Sequence, residues 1–238
     1  MEYYLSMAPH FLSAMRDESS VYESEELWKR SLNLSDNERF RIQKIIKLIP
    51  SSANSILDCG CGAGSICNVI QAPNVIGVDF SRTALKYVKV EKIIADVRAL
   101  PFKEKCFDTL IVSELLEHLD DKSFDLCIKE ILRLRPMNVI ISSPYKERLE
   151  VSMTYCPKCQ KFFHIYHHKR KITPEEIDHQ LSGYTRKETI FTTKIHDTPN
   201  CIIKIEQIFG LHIFDQGVIC EDLWIENHPT TIYAKDPF

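Results

Sequence analysis

Four groups of residues in this 238-residue chain have types and spacings suited to chemistry. The first is Asp58-x-Gly60-x-Gly62-x-Gly64, within the stretch S-I-L-D-C-G-C-G-A-G. Ile56 and Leu57 read as the end of a buried strand, with Asp58 at its carboxyl end. A glycine loop there lets the backbone turn sharply and come close to a ligand. Residues 65–71 read as a helix whose N-terminus points at the same place. The second is Asp79, at the carboxyl end of a strand expected over 74–80. A carboxylate so placed can accept both hydroxyls of a ribose, or cap the helix that begins near Ser81, or do both. The third is Glu114, Glu117 and His118, which follow an apolar run. His118 has a near-neutral reference pKa suited to a general base; it can equally serve only to hold the loop or to pair with Glu114. The fourth is Cys156 and Cys159 in a C-x2-C, with His164 and His168 close behind. Two thiolates and two imidazoles suit tetrahedral zinc, and four protein ligands make such a site structural. Two unconnected thiols and solvated histidines are the plainer alternative.

The glycine pattern is not the dinucleotide fingerprint G-x-G-x-x-G. D-x-G-x-G-x-G resembles the first motif of class I methyltransferases that use S-adenosylmethionine (SAM). The difference has a physical reason: a pyrophosphate needs N–H groups and a helix dipole, whereas SAM has an ammonium group that welcomes Asp58. Further on, D-V-R-A-L-P-F, then Phe107-Asp108, an apolar strand to Ser113, and E-L-L-E-H-L closely resemble the small-molecule "type 11" group. A subset of that group has a similar C-P-x-C followed by F-H and G-H-x-R, matched here by Phe163-His164 and His168-Lys169-Arg170. His167 replaces the glycine, which makes it a rival metal ligand. The resemblance covers roughly residues 42–171. It implies a SAM site built from Asp58, Gly60, Cys61, Gly62, Gly64, Asp79, Phe80, Asp96, Val97 and Ser113. It also places Glu114 and His118 beside the transferable methyl group as candidate catalytic residues, and puts zinc on Cys156, Cys159, His164 and His168.

The elements that position these groups read as an α/β, Rossmann-like doubly wound fold. Its sheet is mostly parallel with a last antiparallel strand, and a small zinc-binding insertion follows the fifth strand. Residues 1–50 are expected to form helices over the cofactor, where Tyr22, Trp28 and Arg39 could line the pocket. Ser35 and Glu38 make a capping box for a helix closed by Pro50. Residues 51–150 form the SAM-binding core, 151–172 the insertion, and 173–238 the rest of the sheet domain. Helices are expected over 82–89 and 122–134, and strands over 92–95, 109–112 and 137–142. Thr173 and Pro174 open another helix. Residues 188–194 and 230–234 read as strands, and 200–211 as a helix.

Composition bounds the rest. Hydrophobic residues are 44% and charged residues 26%, as in ordinary globular proteins. A net charge of −3 speaks against an overall nucleic-acid footprint. No apolar run approaches ~18 residues, so no membrane span is expected. The nine cysteines and the lack of a signal-like N-terminus point to reduced thiols in the cytoplasm. The function this implies is methyl transfer from SAM to a small-molecule acceptor, of a sugar-containing or lipid-linked class. One alternative is an RNA- or protein-modifying enzyme that docks through Lys158, Lys161, Lys169, Arg170 and Lys171 with Phe162, Phe163 and Tyr166. Another is a SAM-fold interaction protein without catalysis.

Overall fold

The computed structural model describes residues 19–145, 147–156, 161–192, 200–206 and 232–235. At its centre are five parallel strands: β1 (Ser55–Cys59), β2 (Asn74–Asp79), β3 (Glu91–Ile94), β4 (Thr109–Ser113) and β5 (Asn138–Pro144). Their order is β3-β2-β1-β4-β5, with β1 paired in parallel to both β2 and β4. The order reverses beside β1, so its carboxyl end and that of β4 frame the crevice where ligands bind in such sheets. Leu110, Ile111 and Val112 of β4 are fully buried, as an unbroken apolar run in a central parallel strand should be. Asp108 sets the start of this pair: its Oδ2 accepts from the backbone of Asn54 at 2.7 Å and of Ser55 at 3.0 Å.

On the far side of β5 the chain departs from the expected reading. Residues 200–206 form strand β9 (Asn200–Glu206), antiparallel to β5, rather than a helix; residues 207–211 lie outside the described residues. The Ile-rich run C-I-I-K-I is β-branched and reads equally well at period two, and pairing with the sheet edge decides it. Strand β8 (Tyr184–Thr192) pairs antiparallel to β9, and β10 (Ile232–Lys235) pairs antiparallel to β5 as expected of the last strand.

The helices divide into strong and weak. α3 (Asp36–Leu48) has the capping box in full: Glu38 N–H donates to Ser35 Oγ at 3.3 Å, and Ser35 N–H donates to Glu38 Oε2 at 2.7 Å. It buries Ile42, Ile45 and Leu48. α4 (Asp121–Leu134) starts at Asp120, whose Oδ1 accepts from Ser123 N–H at 2.8 Å. It buries Phe124, Cys127, Ile128, Ile131 and Leu134, one stripe at helical spacing. α5 (Pro174–Gln180) opens with Thr173 as cap and Pro174 in the first turn, as the sequence indicates. α1 (Ser19–Tyr22) and α2 (Glu25–Ser31) are short. The helices expected over 65–71 and 82–89 are instead single 3-10 turns, Cys67–Val69 and Ala84–Tyr87. Both intervals are too short for several helical turns before the next strand begins.

The insertion is a two-stranded hairpin, β6 (Met153–Cys156) and β7 (Lys161–His164). No described helix is long and apolar enough to cross a membrane. The thiols of Cys59, Cys61, Cys67, Cys106 and Cys127 are free, and all but Cys106 are buried.

Phe124 is the largest fully buried side chain among the described residues. One face meets the core and the other takes the Arg170 guanidinium at 3.6 Å from the ring centroid. Phe124→Ala therefore removes core packing and a seat for the insertion together. The expected cost is about 3–5 kcal/mol, measured as a shift in the urea unfolding midpoint with an unchanged slope.

Candidate functional site

The glycine loop leaves β1 in a conformation that needs glycine. Gly62 has φ +52° and Gly64 φ +82°. A Cβ on Gly62 would lie 2.9 Å from the Trp28 ring, and one on Gly64 would lie 2.6 Å from the Asn68 amide. Cys61 turns inward and packs beneath the loop against Gly77.

Two acidic residues hold this loop from below. Asp58 is buried, and its Oδ2 accepts from Cys67 N–H at 3.2 Å. Burial raises its pKa to about 7, against the opposing pull of the Cys67 hydrogen bonds. Asp79 accepts from Gly62 N–H at 2.9 Å through one oxygen and from Ser81 N–H at 2.8 Å through the other. It is thus both loop brace and turn cap. Burial raises its pKa, and the hydrogen bonds from Ser81 and Gly62 pull it back. Asp96 is engaged differently: Arg98 holds both its oxygens, with a 2.6 Å ion pair. Val97 is buried beside it. Ser113 hydrogen-bonds the Ser142 hydroxyl at 2.7 Å, linking the ends of β4 and β5.

Tyr22 ties the amino-terminal helices to this edge. Its carbonyl accepts from Ser81 Oγ at 2.6 Å and from the Trp28 indole at 2.5 Å. Its ring meets the Phe80 ring edge-on at 5.5 Å between centroids. Its hydroxyl lies 3.1 Å from His118 Nδ1. The Glu23 carboxylate accepts from Arg82 and Thr83 N–H at 3.0 and 3.1 Å. Tyr22 and Trp28 thus lie over the loop. Arg39 does not: it turns to the Leu34 carbonyl on the surface.

Beyond the end of β4, Glu114 takes a left-handed conformation at φ +50°. Its carboxylate accepts from Ser142 Oγ at 2.8 Å and pairs with Arg41 at 3.3 Å. Arg41 was not legible as a site residue, because nothing in its local spacing announces a partner across the fold. Glu117 and His118 follow on a 3-10 turn, Leu116–His118. Burial raises the Glu117 pKa, reinforced by Glu114. Burial and then the neighbouring His168 push His118 down to about 3, so its imidazole is neutral.

Of the expected zinc ligands, the structure brings His164 and His168 together. In the hairpin register Cys156 stands opposite Lys161, whereas His164 stands opposite Met153 at the other end. Three residues along a strand is about 10 Å. Cys159 lies outside the described residues. His164 and His168 stack on each other, 4.8 Å between ring centroids, and both turn a ring nitrogen to Glu147. The Glu147 carboxylate lies 2.6 Å from His168 Nδ1 and 3.5 Å from His164 Nε2. His167, the rival ligand, stacks on Phe163. Glu147 gave no signal in sequence, being 21 residues from the histidine it binds.

Residues 57–138 match the family model described as a methyltransferase domain. An uncharacterised protein from Methanocaldococcus jannaschii is 40% identical over 67 residues, 27% of this chain and 30% of that protein. A probable S-adenosylmethionine-dependent methyltransferase from Mycobacterium tuberculosis is 31% identical over 98 residues, 37% of this chain and 36% of that protein. These matches therefore span about a third of the length of the curated relatives. Among solved structures, magnesium protoporphyrin IX methyltransferase from Synechocystis with bound SAH superposes with a TM-score of 0.58. It is 16% identical and covers 71% of this chain and 83% of that one. The fold is that of the Rossmann-like methyltransferases, and the matched segment runs from β1 to β5.

Asp58 gives a pH signature. Its carboxyl titrates near 7 in the ligand-free fold against an ordinary 3.8. The folded state binds the extra proton, so the contribution to stability is full below about pH 3.8 and is lost as pH rises towards 7. Asp58→Asn abolishes that dependence. The melting temperature of the variant relative to the native chain should climb between pH 4 and about 7 and level off above.

Proposed function

We propose that this protein transfers a methyl group from SAM to a small-molecule acceptor, of a sugar-containing or lipid-linked class. The observation that carries this reading is the glycine loop, held by two buried strand-end aspartates beneath Tyr22 and Trp28. The matched methyltransferase segment supports it. The donor set fits the ligand: a cradle that any Cβ at Gly62 would fill, and two carboxylates for a cation and a diol.

In this reading Asp58 faces the ammonium of the amino-acid end, and the ion pair offsets the burial that keeps its pKa high. Asp79 accepts the ribose hydroxyls. Its oxygens already take backbone N–H groups from Gly62, Ser81 and Phe80, and a carboxylate has about four lone-pair sites, which leaves capacity to accept from a diol. Phe80 packs on the adenine. SAM supplies a methyl carbon already activated for in-line displacement, so the protein's part is to position the acceptor and exclude water. Tyr22 and Trp28 close over the loop from the amino-terminal segment, and Tyr22 reaches His118 on the acceptor side. Glu114 acts through Ser142 and Arg41, shaping the floor of the chamber. A roofed chamber of this kind suits a small acceptor.

A second reading, docking of a nucleic acid or protein on the hairpin, draws support from exposed Phe162 and Tyr166. Its basic strip is weakened by internal pairing. Arg170 pairs with Glu176 at 2.5 Å and packs on Phe124, and Lys171 lies 3.7 Å from Glu150.

Labelled SAM incubated with the protein and a cell extract should place label in the small-molecule fraction. Label in RNA or protein instead would select the second reading. Asp79→Ala should weaken SAM binding at least tenfold by calorimetry; unchanged affinity would remove the ribose assignment.

A further inference from the structure

Glu117 is an anomaly. It is 1% exposed, and neither carboxylate oxygen has a hydrogen-bond partner among the described residues. A buried carboxylate without partners is strongly unfavourable, and each such group calls for an explanation, an ion among them. Its neighbours supply one. Glu117, His118 and His168 each offer a ligand atom, and the three atoms lie within 4.8 Å of one another.

Both histidines have a polar partner at one ring nitrogen, and the His118 ring also hydrogen-bonds the His167 backbone, a contact that an ion would replace. His168 Nδ1 is held by the Glu147 carboxylate at 2.6 Å, and His118 Nδ1 by the Tyr22 hydroxyl at 3.1 Å. Metal-binding histidines are held in this way, with one nitrogen oriented by a polar partner and the other presented to the ion. Glu147 forms a second grouping with His164 and His168. There, however, the carboxylate already bonds His168, so its role is to orient. The backbone brings the parts together: the Glu117 carbonyl accepts from Lys169 N–H at 2.7 Å and from Arg170 N–H at 3.3 Å. His168 is thereby seated beside the 3-10 turn that carries Glu117 and His118.

We propose that Glu117, His118 and His168 bind a divalent cation of the zinc class at the edge of the acceptor chamber, with Glu147 and Tyr22 as orienting residues. Two imidazoles and one carboxylate suit such an ion, and three protein ligands leave a position open. That position suits an oxygen of the acceptor, a hydroxyl above all. This last step rests on the methyltransferase reading; the metal site itself does not. It is distinct from a zinc knuckle, since it uses neither Cys156 nor Cys159 and takes its other ligands from the sheet domain.

Cobalt is the probe. The full-length chain is stripped with chelator and titrated with Co2+, following d–d absorption, thiolate charge transfer and melting temperature. The Cys156→Ser/Cys159→Ser double variant should still bind one cobalt per chain, with no thiolate band. In that background Glu117→Gln and His118→Ala should each weaken cobalt binding at least tenfold. Glu117→Gln should also abolish the rise in melting temperature that metal produces in the native chain. Loss of all cobalt binding in the cysteine variant would overturn the proposal, as would unchanged affinity in both Glu117→Gln and His118→Ala. If His118→Ala fails to fold, His168→Gln on the insertion serves in its place with the same expected loss. SAM affinity is measured on the same samples: SAM binding without the metal site sinks this inference alone, and metal without SAM binding sinks the methyltransferase reading alone.

Discussion

Acidic side chains buried at one edge of a parallel sheet are the constraint on which the rest of this structure turns. Parallel strands bring their carboxyl ends to the same side, and here those ends carry Asp58, Asp79 and, just beyond β4, Glu114 and Glu117. Each must be compensated away from bulk water. Asp79 is answered by backbone N–H groups of the loop and turn it organises. Glu114 is answered by Arg41 and Ser142. Asp58 is answered only in part, by Cys67. Glu117 has no hydrogen-bond partner among the described residues. The two less satisfied carboxylates are the ones to which cationic ligands are proposed to bind.

This arrangement explains why some of the molecule could be read directly from sequence. The glycine loop, Asp79, the Ser35–Glu38 box and the opening of α5 at Thr173 and Pro174 depend on neighbours within a few residues. Their chemistry is local, so spacing reveals it. The apolar run of β4 was legible for a related reason, since burial on both faces leaves a continuous signature.

What sequence concealed lies in pairings across the fold. Arg41 meets Glu114 from a helix more than seventy positions earlier, and Glu147 meets His168 across the hairpin. The reading of residues 200–206 as helix failed because isoleucine spacing suits either period, and only the free edge of β5 chooses. The segments after β1 and β2 have helical composition but too little length, and they close as single turns. The cysteine–histidine spacing does not by itself set a geometry: the hairpin register puts the backbones of Cys156 and His164 at opposite ends of the described ribbon, and Cys159 lies outside the described residues.

Tyr22 touches Phe80 with its ring, Ser81 and Trp28 with its carbonyl, and His118 with its hydroxyl. One residue of the amino-terminal segment is therefore a rivet through two compartments. If the proposed methyl transfer holds, displacing Tyr22 would break the contacts at the Phe80 end and at the His118 end together, so that donor and acceptor sides would open as one.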